Sequence, residues 1–253
     1  MKITFLGTGT SQGIPVIACN CDVCKSLDSK DKRLRSSVLI EDETINLVID
    51  TGPDFRQQML NAQVNHLEGV LLTHGHKDHI AGLDDVRAFN YVQRKAIDVY
   101  ARNDVHETLK NEFSYAFAVE KYPGVPEIHL HEIKNKLFKI KELEILPINV
   151  MHYKLPILGY RIKNFTYITD ANYIDDIEKE KIKGSEILVV NALRKQKHIS
   201  HFTLSEALKL IEEIKPKTAY LTHISHIMGL HEAVSKELPE NVYFAYDGLQ
   251  LEL

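Results

Sequence analysis

The most informative segment of the chain reads Gly69-Val-Leu-Leu-Thr-His74-Gly-His76-Lys-Asp78-His79. Its first part is an apolar run with the length of a buried strand, and its second part is a glycine-containing turn that carries three histidines and one aspartate. Four nitrogen and oxygen donors at the end of a rigid strand suit a divalent cation of borderline softness. This segment therefore predicts a metal site at the end of a buried strand.

The spacing of the four donors indicates two metal ions. His74 and His76 are two residues apart in extended chain, so their side chains point to one side and can reach one ion. Asp78 and His79 follow the turn and can reach a second, adjacent ion. Chance clustering of surface histidines is the alternative. With 13 His in 253 residues, this pattern arises by accident in roughly 0.002 of such chains when positions are treated as independent.

Length and composition are those of an ordinary soluble globular protein. The chain has 253 residues, of which 44% are apolar and 26% charged, and its net charge is −4. No global positive field attracts nucleic acid, and the densest basic run, formed by Lys30, Lys32, Arg33 and Arg35, has the pattern of a solvated face. The N-terminal apolar run is too short for a signal peptide, and no segment approaches the length of a membrane-spanning helix. We expect no membrane partner and no nucleic-acid partner.

Three cysteines lie within six residues, in Cys19-Asn-Cys21-Asp-Val-Cys24. An odd, clustered set is a poor disulfide framework, so we expect a reducing, cytoplasmic environment. Three thiolates at this spacing suit a closed tetrahedral zinc site, for which His226, three residues after His223, is the candidate fourth ligand. Reduced buried thiols or a redox cluster are the alternatives. The prediction is one structural zinc that ties the N-terminal loop to the C-terminal half.

Short apolar runs alternate with helical patterns along the chain. The clearest helix is predicted at Leu204–Ile214, where Thr203 and Glu206 form a capping box. More than ten strands with single helices between them favour two β-sheets with helices outside them over one doubly wound parallel sheet. The predicted strands are Ile3–Leu6, Ser37–Ile40, Ile45–Ile49, Val70–Thr73, Ile97–Ala101, Leu143–Val150, Gly159–Ile162, Thr166–Thr169, Ile187–Val190, Ala219–Thr222 and Val242–Ala245, and the other predicted helices are Phe55–Ala62, Asp84–Gln93, Val105–Phe117 and His231–Leu238.

The segment from Thr73 to His79 resembles the H-x-H-x-D-H signature of the metallo-β-lactamase superfamily. The resemblance implies an α+β fold, a four-layer αββα sandwich, in a single domain over residues 1–253 with similar halves at about 1–140 and 141–253. It also implies three later ligands, each just after a strand, and the chain supplies His152, Asp170 and His223 in that order. In the family's arrangement the first metal takes His74, His76 and His152, the second takes Asp78, His79 and His223, and Asp170 lies between the two ions.

The family implies roles for two further residues. Asp50 follows a predicted strand, and in relatives the matching aspartate orients a histidine ligand without touching the metal. Helix capping is the alternative, for which Asp54 is the better candidate. His201 lies on the loop before the Leu204–Ile214 helix and is our candidate general acid, by analogy with histidines of related phosphodiesterases. Packing near the helix start is the alternative for His201.

The N-terminal segment Ile3-Thr-Phe-Leu-Gly-Thr-Gly-Thr-Ser-Gln-Gly-Ile-Pro15, followed by the cysteines, resembles the phosphoribosyl cyclic phosphate phosphodiesterases, the PhnP-like group. The likeness extends from Ile3 to Asp247. It implies that a metal-bridging hydroxide, oriented by Asp78, cleaves a small phosphodiester, a cyclic one included. It further implies two active-site ions, zinc or manganese with iron as a third option, and leaves a homodimer open.

Other members of the superfamily are the alternatives. A thiolester hydrolase resembling glyoxalase II has no such cysteine trio, and its basic glutathione-binding segment is not apparent here. A tRNA 3′-processing endonuclease uses a protruding basic arm, which we do not find. A non-hydrolytic protein resembling the pyrroloquinoline quinone biosynthesis protein shares the cysteines, but its counterparts lack part of the ligand set. An antibiotic-degrading lactamase is disfavoured by Asp78-His79, which builds a dinuclear site of the phosphodiesterase type.

Overall fold

A computed structural model describes residues 1–253. The apolar, β-branched runs of the sequence form two β-sheets of seven strands each. The strands are β1 (Lys2–Gly7), β2 (Ser37–Asp42), β3 (Ile45–Ile49), β4 (Gly69–Leu71), β5 (Ile97–Ala101), β6 (Ile128–Glu132), β7 (Phe138–Ile140), β8 (Leu143–His152), β9 (Leu155–Ile162), β10 (Phe165–Ile168), β11 (Ile187–Asn191), β12 (Thr218–Thr222), β13 (Val242–Phe244) and β14 (Gln250–Glu252).

The helices come singly or in pairs between the strands. The clearest predicted helix, Leu204–Ile214, has the predicted bounds, and its capping box is present. The helices are α1 (Asp22–Lys25), α2 (Phe55–Asn61), α3 (Lys77–Ile80), α4 (Arg87–Gln93), α5 (Asn103–Glu112), α6 (Ser114–Phe117), α7 (Asp176–Ile182), α8 (Leu204–Ile214) and α9 (His231–Ser235). No helix combines the length and the apolar character needed to cross a bilayer.

Each sheet combines an antiparallel and a parallel part. The first sheet has the order β14-β1-β2-β3-β4-β5-β6 and the second β13-β12-β11-β10-β9-β8-β7. Strands β3 to β6 are parallel to one another, as are β10 to β13. Strand β7 pairs in the second sheet and β14 in the first, so the sheets exchange short edge strands between the two halves of the sequence.

Three apolar clusters show where the layers lie. The middle cluster joins β1–β3 to β8–β10 and includes Phe5, Leu47, Tyr160 and Tyr167. A second cluster packs α2, α4 and α5 on the outer face of the first sheet, and a third packs α7 and α8 on the second. The sequence of layers is helix, sheet, sheet, helix, which confirms the predicted αββα sandwich.

Two local predictions are wrong. Arg33 is not part of a solvated face, because it is buried and donates hydrogen bonds to Thr8 Oγ1 at 2.7 Å and to the carbonyl oxygen of Ala245 at 2.6 Å. Burial lowers the pKa of Arg33 to about 10. Asp54 precedes α2 without capping it by its side chain, since it accepts hydrogen bonds from the backbone and the guanidinium of Arg35 instead.

Candidate metal centre

The candidate ligands lie at strand ends of both sheets. β4 leads into the motif residues from His74 to His79, β8 ends at His152, and Asp170 and His223 come just after β10 and β12. Asp170 and His223 have left-handed backbones, with φ of 59° and 54°. Aspartate and histidine tolerate this conformation better than branched residues do. The chain can therefore turn at the strand end and leave a polar side chain at the rim of the sandwich.

The first group of donors comes from His74, His76 and His152, whose ligand atoms lie within 4.8 Å of one another. His74 Nε2 and His76 Nδ1 are 3.0 Å apart. His152 Nδ1 donates to the carbonyl oxygens of Asp170 and Ser200 at 2.7 and 3.0 Å, which leaves its Nε2 as a lone-pair donor for a cation. The structure thus brings together the three residues predicted for the first metal.

The second group contains Asp78, Asp170 and His223, whose ligand atoms also lie within 4.8 Å of one another. His79 completes it, because its Nε2 is 3.2 Å from Asp78 Oδ2 and 3.3 Å from Asp170 Oδ2. Asp170 belongs to donor groups with His74 and with His223, so it lies between the two sets. We call these seven residues the His/Asp cluster: His74, His76, Asp78, His79, His152, Asp170 and His223.

Electrostatics at the His/Asp cluster favour a cation. Burial acts to lower the pKa of His79, but Asp170, Asp50 and Asp78 outweigh it and raise that pKa well above the usual value. Burial acts to raise the pKa of Asp170, but His223 and His79 hold it well below the usual value. His79 Nε2 is also buried without a hydrogen-bond partner. Positive charge is therefore favoured where this nitrogen faces the carboxylates, and the donor set fits a pair of divalent ions such as zinc.

Burial within the cluster shows which side is open. His74, His79, Asp170 and His223 are each at most 2% exposed, whereas His76 is exposed. The lip on the open side includes Tyr153, whose backbone N–H donates to Asn172 Oδ1 at 2.6 Å, and Ile199, whose carbonyl oxygen accepts from Asn172 Nδ2 at 3.3 Å. A ligand therefore approaches from the side of His76 and this lip.

The motif helix α3 packs on the residues after Asp50 through backbone contacts. The carbonyl oxygen of His79 accepts from the N–H of Thr51 at 2.7 Å, and the carbonyl oxygen of Thr51 accepts from the N–H of Gly82 at 2.8 Å. A Cβ at Gly52 would lie 2.1 Å from the carbonyl oxygen of Asp78, and a Cβ at Gly82 would lie 2.1 Å from that of Gly52. The motif helix α3 consequently packs on the backbone of residues 51–52 and leaves no room for a side chain at position 52 or 82.

Asp50 lies directly behind the cluster, in contact with His79. It is fully buried, and its Oδ2 accepts a hydrogen bond from His79 Nδ1 at 2.7 Å. Burial raises the pKa of Asp50, while the contacts with His79 and Thr73 act in the opposite direction. Thr73 also touches His74, and this contact was not anticipated from the sequence.

His201 reaches the cluster itself. Its Nε2 is 3.1 Å from Asp170 Oδ1, and His152, Asp170 and His201 form another group of donors within 4.8 Å. His198 lies behind it, with 3.0 Å between the two Nδ1 atoms. The signals for His201 in the sequence were its place on the loop before the Leu204–Ile214 helix and the analogy with related phosphodiesterases. Thr10 and Ser36, each 3.2 Å from a ring nitrogen of His223, had none, because they are 213 and 187 residues away in sequence.

The three cysteines meet His226, and we call these four residues the cysteine cluster. Their ligand atoms lie within 4.8 Å of one another, and His226 Nδ1 is 3.3 Å from Cys19 Sγ and 3.4 Å from Cys21 Sγ. The N–H of Cys24 and the contact with His226 lower the pKa of Cys21 to about 6, whereas burial raises the pKa of Cys24 to about 11. No disulfide forms, and the set fits a closed zinc site.

Comparison with known proteins agrees with this geometry. Residues 45–224 match the family described as the beta-lactamase superfamily domain. A crystal structure described as a new diphosphatase from the PhnP family is 37% identical, with a TM-score of 0.93 over 100% of this chain and 97% of that one. The zinc-bound PqqB of Methylobacterium extorquens shares the fold at 19% identity, with a TM-score of 0.82 over the full length of both chains.

One curated relative is much longer than this chain. The octanoyltransferase of Porphyromonas gingivalis is 40% identical over 99% of this chain, which spans only 51% of that protein. The family match covers well over half of the chain and includes all seven residues of the His/Asp cluster. Motif, fold and comparisons agree: the chain belongs to the metallo-β-lactamase superfamily, in its PhnP-like group.

Proposed function

We propose that this chain is a dinuclear metal-dependent hydrolase that cleaves a phosphodiester in a small molecule. The observation that carries the proposal is the position of Asp170, which shares one donor group with His74 and another with His223. Two adjacent cation sites with a carboxylate between them suit a substrate whose charge grows on the phosphoryl oxygens. The diphosphatase of the PhnP family, 37% identical, supports hydrolysis at phosphorus.

The metal-holding residues of the proposal are the His/Asp cluster for two catalytic ions, zinc, manganese or iron, and the cysteine cluster for one structural zinc. Divalent cations, when bound, supply Lewis acidity at phosphorus and neutralise charge on its non-bridging oxygens. Asp78, only partly buried, presents a carboxylate at the open side and is placed to orient the attacking water. Asp50 holds His79 in place through its Nδ1.

His201 is proposed as the general acid. Its Nε2 lies at the cluster, 3.1 Å from Asp170 Oδ1, so it can give a proton to a leaving oxygen that sits beside Asp170. Its Nδ1 faces His198, which is partly exposed and leads toward solvent. Aspartate and histidine side chains therefore supply every proton-handling group of the proposal, and no serine or cysteine nucleophile is required.

The proposed substrate class rests on the net charge of the chain. The net charge of −4 gives no field for a polyanion, so a small molecule is proposed rather than nucleic acid. A cytoplasmic location belongs to the same proposal, because none of the three cysteines forms a disulfide. A homodimer belongs to it as well, by the resemblance to the PhnP-like group.

A substrate panel on metal-analysed protein tests the proposal. It contains bis-p-nitrophenyl phosphate, a ribose 1,2-cyclic phosphate, 2′,3′-cyclic nucleotides, a dinucleoside diphosphate, lactoylglutathione and a tRNA precursor. We expect turnover of the small phosphodiesters, with the highest kcat/KM among the cyclic ones. Preference for the dinucleoside diphosphate would show that the enzyme cleaves a phosphoanhydride bond instead of a phosphodiester. Preference for lactoylglutathione or the tRNA precursor would overturn the proposal.

A further inference from the structure

We propose that Thr73 is a positioning residue whose single hydroxyl group fixes one histidine ligand in each half of the metal centre. The inference rests on the two-ion arrangement of the proposed function, but it does not depend on the substrate. Thr73 follows β4 and directly precedes His74. Its side chain is fully buried, so its contacts are with protein rather than with solvent.

Two donor groups of Thr73 contact the Asp50 carboxylate, and the hydroxyl lies near both of its oxygens, 3.1 Å from Oδ1. The Thr73 N–H donates to Asp50 Oδ1 at 2.8 Å, and the Thr73 hydroxyl donates to Asp50 Oδ2 at 2.8 Å. Asp50 Oδ2 also accepts from His79 Nδ1 at 2.7 Å. On the other side, Thr73 Oγ1 is 3.0 Å from His74 Nδ1. One buried hydroxyl thus links a ligand of the first metal to the carboxylate that holds a ligand of the second.

The donors and acceptors in this chain of contacts have one consistent direction. An ionised carboxylate only accepts, so the hydroxyl proton of Thr73 points to Asp50. Thr73 Oγ1 then has only lone pairs for His74, and His74 Nδ1 must be the donor. His79 Nδ1 donates to Asp50 for the same reason. Both rings therefore carry a proton on Nδ1 and present Nε2 as the lone pair that a cation needs.

The backbone around Thr73 is held by the second sheet. The Leu158 N–H donates to the carbonyl oxygen of Thr73 at 3.0 Å, and the Tyr160 hydroxyl donates to that of Leu72 at 2.5 Å. The hydroxyl is therefore the movable part of the residue, and its direction is decided by Asp50. Removal of the hydroxyl leaves His74 Nδ1 without an acceptor and removes one of three donors from Asp50.

The chain offers a matched control. Thr222 precedes His223 at the end of β12 as Thr73 precedes His74, and it is also fully buried. The Thr222 hydroxyl, however, has no hydrogen-bond partner. Replacement of this threonine by valine removes a buried hydroxyl beside a metal ligand without breaking any contact.

The test measures metal affinity, without any substrate, by competition of Zn²⁺ between the full-length protein and a chromophoric chelator. We expect Thr73→Val to weaken binding at both catalytic sites by about 10- to 100-fold. Thr73→Ser keeps the hydroxyl and should remain within about threefold of the wild type, as should Thr222→Val. The double variant Asp50→Asn with Thr73→Val should lose less Zn²⁺ affinity than the product of the two single-variant losses, because both substitutions act through the same contacts.

Each outcome decides the inference. Wild-type affinity in Thr73→Val, an equal loss in Thr73→Ser, or an equal loss in Thr222→Val would overturn it. If Thr73→Val does not fold, Thr73→Ala against Thr222→Ala gives the same comparison. Failure of the substrate panel with the expected affinity losses intact would overturn the proposed function alone.

Discussion

The His/Asp cluster and the cysteine cluster lie side by side on one chain, yet they are built in opposite ways. The first takes its donors from strand ends of both sheets and buries four of seven residues almost completely. The second takes three donors from an irregular loop and the short helix α1, and only Cys24 is buried. His223 and His226, three residues apart, serve one cluster each.

The difference matches the separate roles proposed for the two clusters, one catalytic and one structural. The His/Asp cluster has mixed nitrogen and oxygen donors, an exposed member in His76 and outer contacts that hold its rings, which suit ions that bind substrate. The cysteine cluster has three sulfur donors and one nitrogen donor, which leaves no open position on a tetrahedral ion. Damage to the first is therefore expected to remove catalysis, and damage to the second to remove stability.

The largest expected effect comes from Asp170→Asn. Asparagine tolerates the left-handed backbone at this position, so the chain should fold, but the carboxylate between the two donor groups is lost. Diesterase activity should fall by about 10³-fold or more, beyond the 10–100-fold typical of outer contacts. Metal analysis should show the loss of at least one catalytic ion and full retention of the structural zinc. Unchanged activity would break the assignment of this cluster to catalysis.

The next effect concerns His201. His201→Gln should lower kcat by about 100-fold for substrates with poor leaving groups, because proton transfer to the leaving oxygen is lost. For bis-p-nitrophenyl phosphate, whose leaving group needs no proton, the loss should be below about tenfold. His198→Gln is the neighbouring control and should stay near the wild type in metal content. An equal loss for both kinds of substrate, with a missing ion, would make His201 a metal ligand.

Cys21→Ser should affect stability instead. The proposed structural zinc cross-links the loop to the C-terminal half. Its loss should therefore cost about 2–3 kcal/mol of folding stability and lower Tm by about 5–10 °C at this length. Diesterase activity at 25 °C should change by less than about threefold. Wild-type protein stripped of all zinc by a chelator and reloaded with manganese should melt like the variant. A variant with the wild-type Tm but no activity would show that the cysteine cluster serves catalysis and not stability.

The smallest expected effect is on stability, at an ion-pair site remote from both clusters. Glu68, just before β4, contacts Lys141 and Lys95. Burial acts to raise its pKa, but hydrogen bonds from Lys141, Lys95 and His66 lower it to about 2 from the usual 4.5.

Because the folded-state pKa is the lower one, the contribution of Glu68 is present above pH 4.5 and is lost as the pH falls toward about 2. The lysines are about half exposed, so the contribution is about 1 kcal/mol. Glu68→Gln should therefore lower Tm by about 2–4 °C at pH 7 and leave it unchanged near pH 2. A shift that is the same at both pH values would show that charge is not its cause.

Much of this architecture could be predicted from local sequence. Strand β3 and helix α8 have the predicted bounds, since an apolar run and a capping box are local signals. Short edge strands such as β7 and β14 were missed, because three residues carry too little periodicity. Helix α7 was missed as well; its cap, Asp175, accepts from the N–H of Glu178, but its charged surface hides the helical pattern.

The candidate site divides in the same way. The motif from His74 to His79 is contiguous and could be found by its spacing, and the ends of strands pointed to Asp170 and His223 once the family was recognised. Contacts that depend on the packing of the two sheets could not be found. Arg33 is buried against Thr8, and Asp54 contacts Arg35. Each contact brings together two segments that no local sequence pattern identifies as neighbours.

The tight backbone contact at Gly52 and Gly82 has a consequence for how new specificity can arise in this scaffold. Neither glycine can be replaced without moving backbone, and even a methyl group at position 52 would displace α3. Tyr153 and Ile199 at the lip, by contrast, expose 49% and 64% of their surface. Directed evolution toward other substrates therefore has its freedom of substitution at this lip. A library that keeps both glycines leaves the candidate metal ligands in place while the exposed surface changes.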